Sequence, residues 1–173
     1  MMSRVGRTLV ILMLGALTLC VACTDDPDVP LDEAGVPLPA SVELGTGTSA
    51  FRPIPEDGAE LELVRGPQGG FHVFLTARIT ALQVDGASLV YSARHAETGE
   101  VVGNPASYVL SAARLAREGV AWVRVGDFLV LDDASPDAVR DQTLELQIEV
   151  MEASGERAAM DRRTVLIVDR EGG

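Results

Sequence analysis

Two stretches of this chain alternate apolar and polar residues with a period of two. In Phe71-His72-Val73-Phe74-Leu75-Thr76-Ala77-Arg78-Ile79 every odd position is apolar and the even ones are mostly polar. In Thr143-Leu144-Glu145-Leu146-Gln147-Ile148-Glu149-Val150 the apolar set is Leu144, Leu146, Ile148 and Val150. Successive side chains of a β-strand point to opposite faces, so this spacing predicts strands with one face in a core, whereas a helix would need a period of 3.6. Weaker runs suggest further strands at 61–64, 89–93, 101–102, 108–112, 120–125, 128–131 and 164–168. Turn-forming residues separate them: Gly66-Pro67-Gln68-Gly69-Gly70, Asp85-Gly86, Glu97-Thr98-Gly99, Gly103-Asn104-Pro105, Ser135-Pro136-Asp137 and Ser154-Gly155. Many short strands at such spacing imply an all-β, antiparallel β-sandwich. The one helix candidate, Ala112 to Glu118 before Gly119, is too short to form a layer.

The amino-terminal segment is of a different kind. Arg4 and Arg7 precede an uncharged, mostly apolar stretch from Thr8 to Ala22, the pattern of a secretory signal peptide over residues 1–22. It is short of the roughly 20 apolar residues that a bilayer span needs. The stretch ends in Cys20-Val21-Ala22-Cys23-Thr24-Asp25-Asp26, which resembles the lipobox of bacterial lipoproteins. That resemblance implies cleavage before Cys23 and lipidation of its thiol, with Cys20 standing where such motifs usually carry Leu. A plain secretory signal is the alternative. Residues 24–48 hold Pro27, Pro30, Pro37 and Pro39 among carboxylates and show no sustained period. Residues 23–47 therefore read as the lipidated cysteine and a disordered tether, 48–170 as the sandwich domain and 171–173 as a tail.

Charge narrows the partners. Removing 22 of the 173 residues leaves 151, with 26 carboxylates against 12 arginines and a net charge of −14. Nucleic acid and anionic surfaces are repelled by such a body. With Cys20 removed and Cys23 lipidated, no thiol remains for a disulfide, a nucleophile or a zinc site. No cofactor motif is present.

The hairpin expected between Leu144 and Val168 around Ser154-Gly155, entered from the acidic turn at Asp137, resembles the last two strands of an immunoglobulin-like or fibronectin type III-like sandwich. The likeness is architectural, because no cysteine pair is there for Trp122 to pack on. A second likeness covers Glu43 to Thr80: Gly45-Thr46-Gly47, Phe51, Asp57-Gly58, Leu61-Glu62-Leu63-Val64, then Gly66-Pro67-Gln68-Gly69-Gly70 and His72. This set resembles a group of uncharacterised lipoproteins from myxobacteria and their relatives, which brings no function with it.

Few residues offer chemistry. Gly66 to Gly70 with Arg65 invites a phosphate-loop reading, yet it opens a strand rather than a helix and lacks the lysine. Its glycines more simply supply positive φ to a tight connection, and Gln68, Gly69, Gly70 and His72 form the candidate binding loop. His72 and His95 are the only histidines. In a hairpin with aligned apolar faces His95 would lie on the core side and His72 outside, and in separate sheets they would lie farther apart, so a joint catalytic or metal site is not expected. Asp132, Asp133 and Asp137, with Asp141, are the densest carboxylates and a weak calcium candidate, although their spacing is not that of an EF-hand. The alternative is a solvated turn in which Ser135 or Asp137 caps a helical turn. No nucleophile elbow, Ser-x-x-Lys pair or zinc-protease helix occurs.

The expectation is a non-catalytic lipoprotein of the cell envelope, anchored in a membrane through lipid and binding an envelope protein or surface polymer. Thr24 follows the lipidated cysteine where an aspartate retains similar proteins in the inner membrane of enteric bacteria, which points to the outer membrane. The alternative is a small envelope hydrolase whose carboxylates and a histidine converge only in the fold. One acyl chain holds a protein marginally and two or three hold it stably, at about 0.8 kcal/mol per buried methylene. Replacing Cys23 with Ser is expected to release the protein from membranes or to leave its precursor uncut, as read by fractionation and mass spectrometry.

Overall fold

The computed structural model describes residues 30–31, 33–56, 58–67, 69–132 and 135–170. The expected signal peptide over residues 1–22, Cys23, Gln68 and Asp133 lie outside the described residues. Eleven strands follow in order: β1 (Ser41–Thr46), β2 (Arg52–Pro53), β3 (Ala59–Glu62), β4 (Val64–Arg65), β5 (Phe71–Thr80), β6 (Ser88–His95), β7 (Val101–Val109), β8 (Ala116–Glu118), β9 (Ala121–Asp132), β10 (Thr143–Met151) and β11 (Ala158–Val168). They build two sheets, β2-β1-β5-β9-β8 with β4 added beside β5, and β3-β11-β10-β6-β7. Every pairing is antiparallel except β3 on β11. The protein is an all-β sandwich, and β1-β5-β9-β8 against β11-β10-β6 reproduces the A-B-E-D against G-F-C order of the immunoglobulin fold.

The two strongest alternations form the middle of the core. Val73, Leu75, Ala77 and Ile79 of β5 face Leu144, Leu146, Ile148 and Val150 of β10 across the sandwich, all buried, with Leu89, Tyr91 and Ala93 of β6 beside them. Each valine, leucine and isoleucine among them stabilises the fold by about 1.5–3 kcal/mol when fully buried. The β10–β11 hairpin turns at Ser154-Gly155 as expected, with Met151 opposite Ala158.

Five local expectations are corrected. Residues 41–46, assigned to the tether, form β1 and pair with β5 from Ser41–Thr80 to Gly45–Thr76. Ahead of β1 lies a turn in which the Leu38 amide donates to the Pro30 carbonyl at 2.9 Å. The short β1 run, Val42-Glu43-Leu44, is too brief to show a period among its prolines and glycines. The helix candidate at 112–118 is a single 3-10 turn, Ala112–Arg114, followed by β8 on the edge of β9. One turn is below the length at which helix propensity wins, and the ladder of β9 offers hydrogen bonds at once. The run 61–64 divides between sheets, Leu61 in β3 and Val64 in β4 with Leu63 buried at the crossing. Gly103-Asn104-Pro105 bulges within β7 rather than ending it, since Tyr91 opposes Ala106 and Ala93 opposes Val102.

β9 joins two runs expected as separate strands. Leu75 opposes Asp127 and Ala77 opposes Arg124, so Val125 and Gly126 face the single residue Thr76. Gly126 has φ +76°, a conformation open to glycine and strained for other residues. The bulge exchanges faces: Trp122 and Arg124 are inward before it, Asp127, Leu129 and Leu131 after it.

Ile148 is fully buried between Tyr91 of β6 and Asp161 of β11. An aspartate there would bury an unpaired carboxylate beside an existing one, a cost of several kcal/mol against a total stability of about 5–15 kcal/mol. Ile148→Asp is expected to unfold the domain, while Glu149→Ala on the exposed face changes stability by less than about 0.5 kcal/mol. Chemical denaturation followed by circular dichroism checks both.

Candidate aromatic binding face

The outer face of the first sheet is half covered. The loop from Gly47 to Phe51 folds back over it, and the Arg78 guanidinium lies 4.0 Å from the centre of the Phe51 ring. Arg78 is also paired with Glu43 at 3.1 Å and Glu118 at 3.5 Å. Beneath this cover Thr76 is fully buried although it points away from the core, and its hydroxyl donates to the Thr46 carbonyl.

Beyond Thr76 the cover stops. Phe74 stands opposite Phe128 and His72 opposite Val130, all on the outer face, with Val64 of β4 beside His72. The His72 ring meets Phe74 edge-on at 5.1 Å and Phe128 at 5.4 Å. Phe128 is 49% exposed, unusual for a phenylalanine on a well-ordered strand. Its backbone is pinned from the second sheet, since the Tyr108 hydroxyl donates to the Phe128 carbonyl at 3.3 Å. His72, Phe128 and Val130 form the floor of an open hollow of about 700 Å³ whose rim is Gly66, Pro67, Gly69 and Gly70. A second hollow, of about 580 Å³, is lined by Phe74 and Val64 together with Ile54, Pro53 and Glu62.

The rim is a tight β4–β5 connection. The Gly69 amide donates to the Gly66 carbonyl at 3.1 Å and the Gly66 amide to the Gly70 carbonyl at 3.0 Å. Gly69 and Gly70 have φ of +88° and +69°, the positive φ expected of them. Both donated amides are turned into the connection, which leaves them unable to cradle a phosphate. Of the expected binding loop, the structure brings Gly69, Gly70 and His72 together, while Gln68 lies outside the described residues.

Phe128 and Val130 were not legible as part of this site. Read as an isolated run, Phe128 to Leu131 gives no reason to choose which residues face out. The usable signal was Gly126-Asp127 between two apolar runs, the signature of a bulge.

Behind the patch, on the core side of the same bulge, lies a polar cluster. Asp127 accepts from Arg124 Nε at 2.6 Å and from the Tyr91 hydroxyl at 3.2 Å. Arg124 stacks 4.5 Å from the centre of the Tyr108 ring, and the two tyrosine rings meet edge-on at 6.2 Å. Burial, with the Asp127 charge adding to it, pushes the Tyr91 and Tyr108 phenols upward, so both stay protonated. Burial works against the Arg124 charge, yet the hydrogen bond and charge of Asp127 raise its pKa. This cluster holds its charges fixed inside the sandwich.

The remaining candidates are dispersed. His95 ends β6 in the second sheet, away from His72, at a hollow of about 320 Å³ lined by Glu97, Glu100 and Asp141. Asp137 is paired with Arg140 at 3.3 Å and Ser135 Oγ accepts from the Asp137 amide, so the capped-turn reading of this segment holds. Asp133 and the side chain of Asp132 lie outside what is described. Among the described residues no three His, Cys, Asp or Glu side chains are grouped to hold a metal ion. No protein-family model matches the chain, and no curated protein matches it significantly.

Burial holds the His72 imidazole below its usual value near 6.5. The sign follows from proton binding: the unfolded chain takes up this proton at higher pH than the folded one. The His72 contribution is intact above pH 6.5 and is lost as pH falls toward the folded-state midpoint. NMR titration of the ring protons is expected to give that lowered midpoint. Stability should fall less between neutral and mildly acidic pH in His72→Phe than in the parent.

Proposed function

We propose that the protein is a lipid-anchored, non-catalytic binding module of the cell envelope. The observation that carries this reading is the uncovered aromatic patch of His72, Phe74 and Phe128, with Phe128 half exposed on the long β5–β9 ladder. Exposed aromatic groups on a rigid scaffold are where protein partners gain most binding energy, because they bury large area at little conformational cost. The lowered pKa of His72 supports the same reading, since a neutral ring at pH 7 can be covered without burying a charge. The leader ending at Cys23, of lipobox type, supplies the anchor, and the acidic body directs the module toward proteins or uncharged polymers rather than anionic ones. The outer membrane is the proposed address.

A photo-crosslinking residue placed at position 128 in intact envelopes tests the reading. It is expected to trap a discrete adduct that position 149, on the exposed face of β10, does not trap, and that His72→Asp weakens at least tenfold. Absence of an adduct, or the same adducts from both positions, would sink it. The hydrolase reading draws on the hollow where His95 meets Glu97, Glu100 and Asp141. Cleavage of envelope polymers by the parent protein, lost in His95→Ala, would favour that reading instead.

A further inference from the structure

An open sheet edge presents unpaired backbone groups, and proteins blunt such edges by shortening them or by placing charge on them. Four edges here are treated in that way. β2 and β4 have two residues each, β4 ending in Arg65, and β8 has three with Arg117 and Glu118. β3 has four, with Glu60 and Glu62 both exposed. β7 differs: it has nine residues, ends the second sheet, and carries no charged side chain.

Its first half is protected, because the bulge at Gly103-Asn104-Pro105 bends the strand and proline offers no amide. Its second half is regular, with Ala106 to Val109 in unbroken register against Tyr91 to Ser88. The next residue, Leu110, donates its amide to Ala87 of the neighbouring segment at 2.8 Å. Antiparallel alternation then turns the backbone of Tyr108 toward β6 and that of Ser107 and Val109 to the open side. Val109 is 77% exposed, the most exposed large apolar side chain among the described residues. Its outward neighbours in β6 are Ser88 and Val90, and Met151 continues the row in β10, 42% exposed.

Charge selects the occupant. Copies of a chain of net charge −12 repel one another over most of their surface. The stretch from Val101 to Ala113 has no charged residue, so two copies meeting there bring no like charges face to face. An antiparallel pairing of one strand with itself is also closed by a two-fold axis, which limits association to a dimer.

We infer that the Ala106–Val109 edge of β7 pairs antiparallel with the same edge of a second copy, joining two five-stranded sheets into one of ten strands. Native mass spectrometry of the detergent-solubilised protein is expected to give twice the monomer mass. Val109→Lys sets a cation on each side of the axis, and Ser107→Pro removes an outward amide at a position where an edge tolerates proline. Each is expected to lower the dimer fraction at least tenfold while circular dichroism shows the β-sheet content of the folded parent, with a thermal midpoint that no longer rises with protein concentration. A monomeric parent, or a dimer that persists in both folded variants, would overturn the proposal.

Discussion

The slip of β9 at Val125 and Gly126 is the constraint on which both faces of the first sheet depend. With uninterrupted alternation, the parity that turns Trp122 and Arg124 inward would also turn Phe128 and Val130 inward and Asp127 to solvent. The extra residue reverses this and sets Arg124 and Asp127 on one face, three positions apart and hydrogen bonded. The ion pair is a consequence of the bulge as well as its lock. Removing either partner would leave a charge uncompensated in the core, at a cost of about 3–5 kcal/mol.

Other polar groups bind the two sheets together where the hydrophobic core thins. The Leu44 amide on the open side of β1 donates to Asp161 of β11 at 2.8 Å, and Asp161 is paired with Arg163 at 2.9 Å. Asp161 and Arg163 occupy inward positions opposite Ile148 and Leu146, so they break the apolar alternation of β11 at the sandwich margin. Inward charges of this kind close a sheet edge against foreign strands, as β1 would otherwise present it. Arg163 Nε has no hydrogen-bond partner among the described residues, so the closure carries some desolvation cost.

The sandwich and its central strands were legible because β5 and β10 are half buried, and a period of two is the direct imprint of that burial. β1 was missed for the opposite reason: its six residues lie between proline-rich and glycine-rich segments, and its register is set by β5, which is distant in sequence. The tight connection at Gly69 and Gly70 was legible because glycines opening a strand fix local geometry by themselves. Phe128 and Val130 needed the bulge, and the Tyr91–Asp127–Arg124 cluster needed two sheets to meet. Neither is encoded in any single window of sequence.

The turn between Pro30 and Leu38 has a bearing on how this module would explore its surroundings. Leu31 bridges Pro37 there, so nine residues of chain double back instead of adding length. Were Cys23 lipidated, six residues, 24–29, would separate the anchor from the turn, and at about 3.1 Å each they could span at most roughly 20 Å. A leash that short would keep the domain within about its own diameter of the headgroups. The search for a partner rooted in the same membrane would then be confined to a thin layer, which raises the effective concentration at which the two meet. Modest affinity at the aromatic face would suffice for lasting occupancy, and a freely diffusing competitor would have to be abundant to displace it.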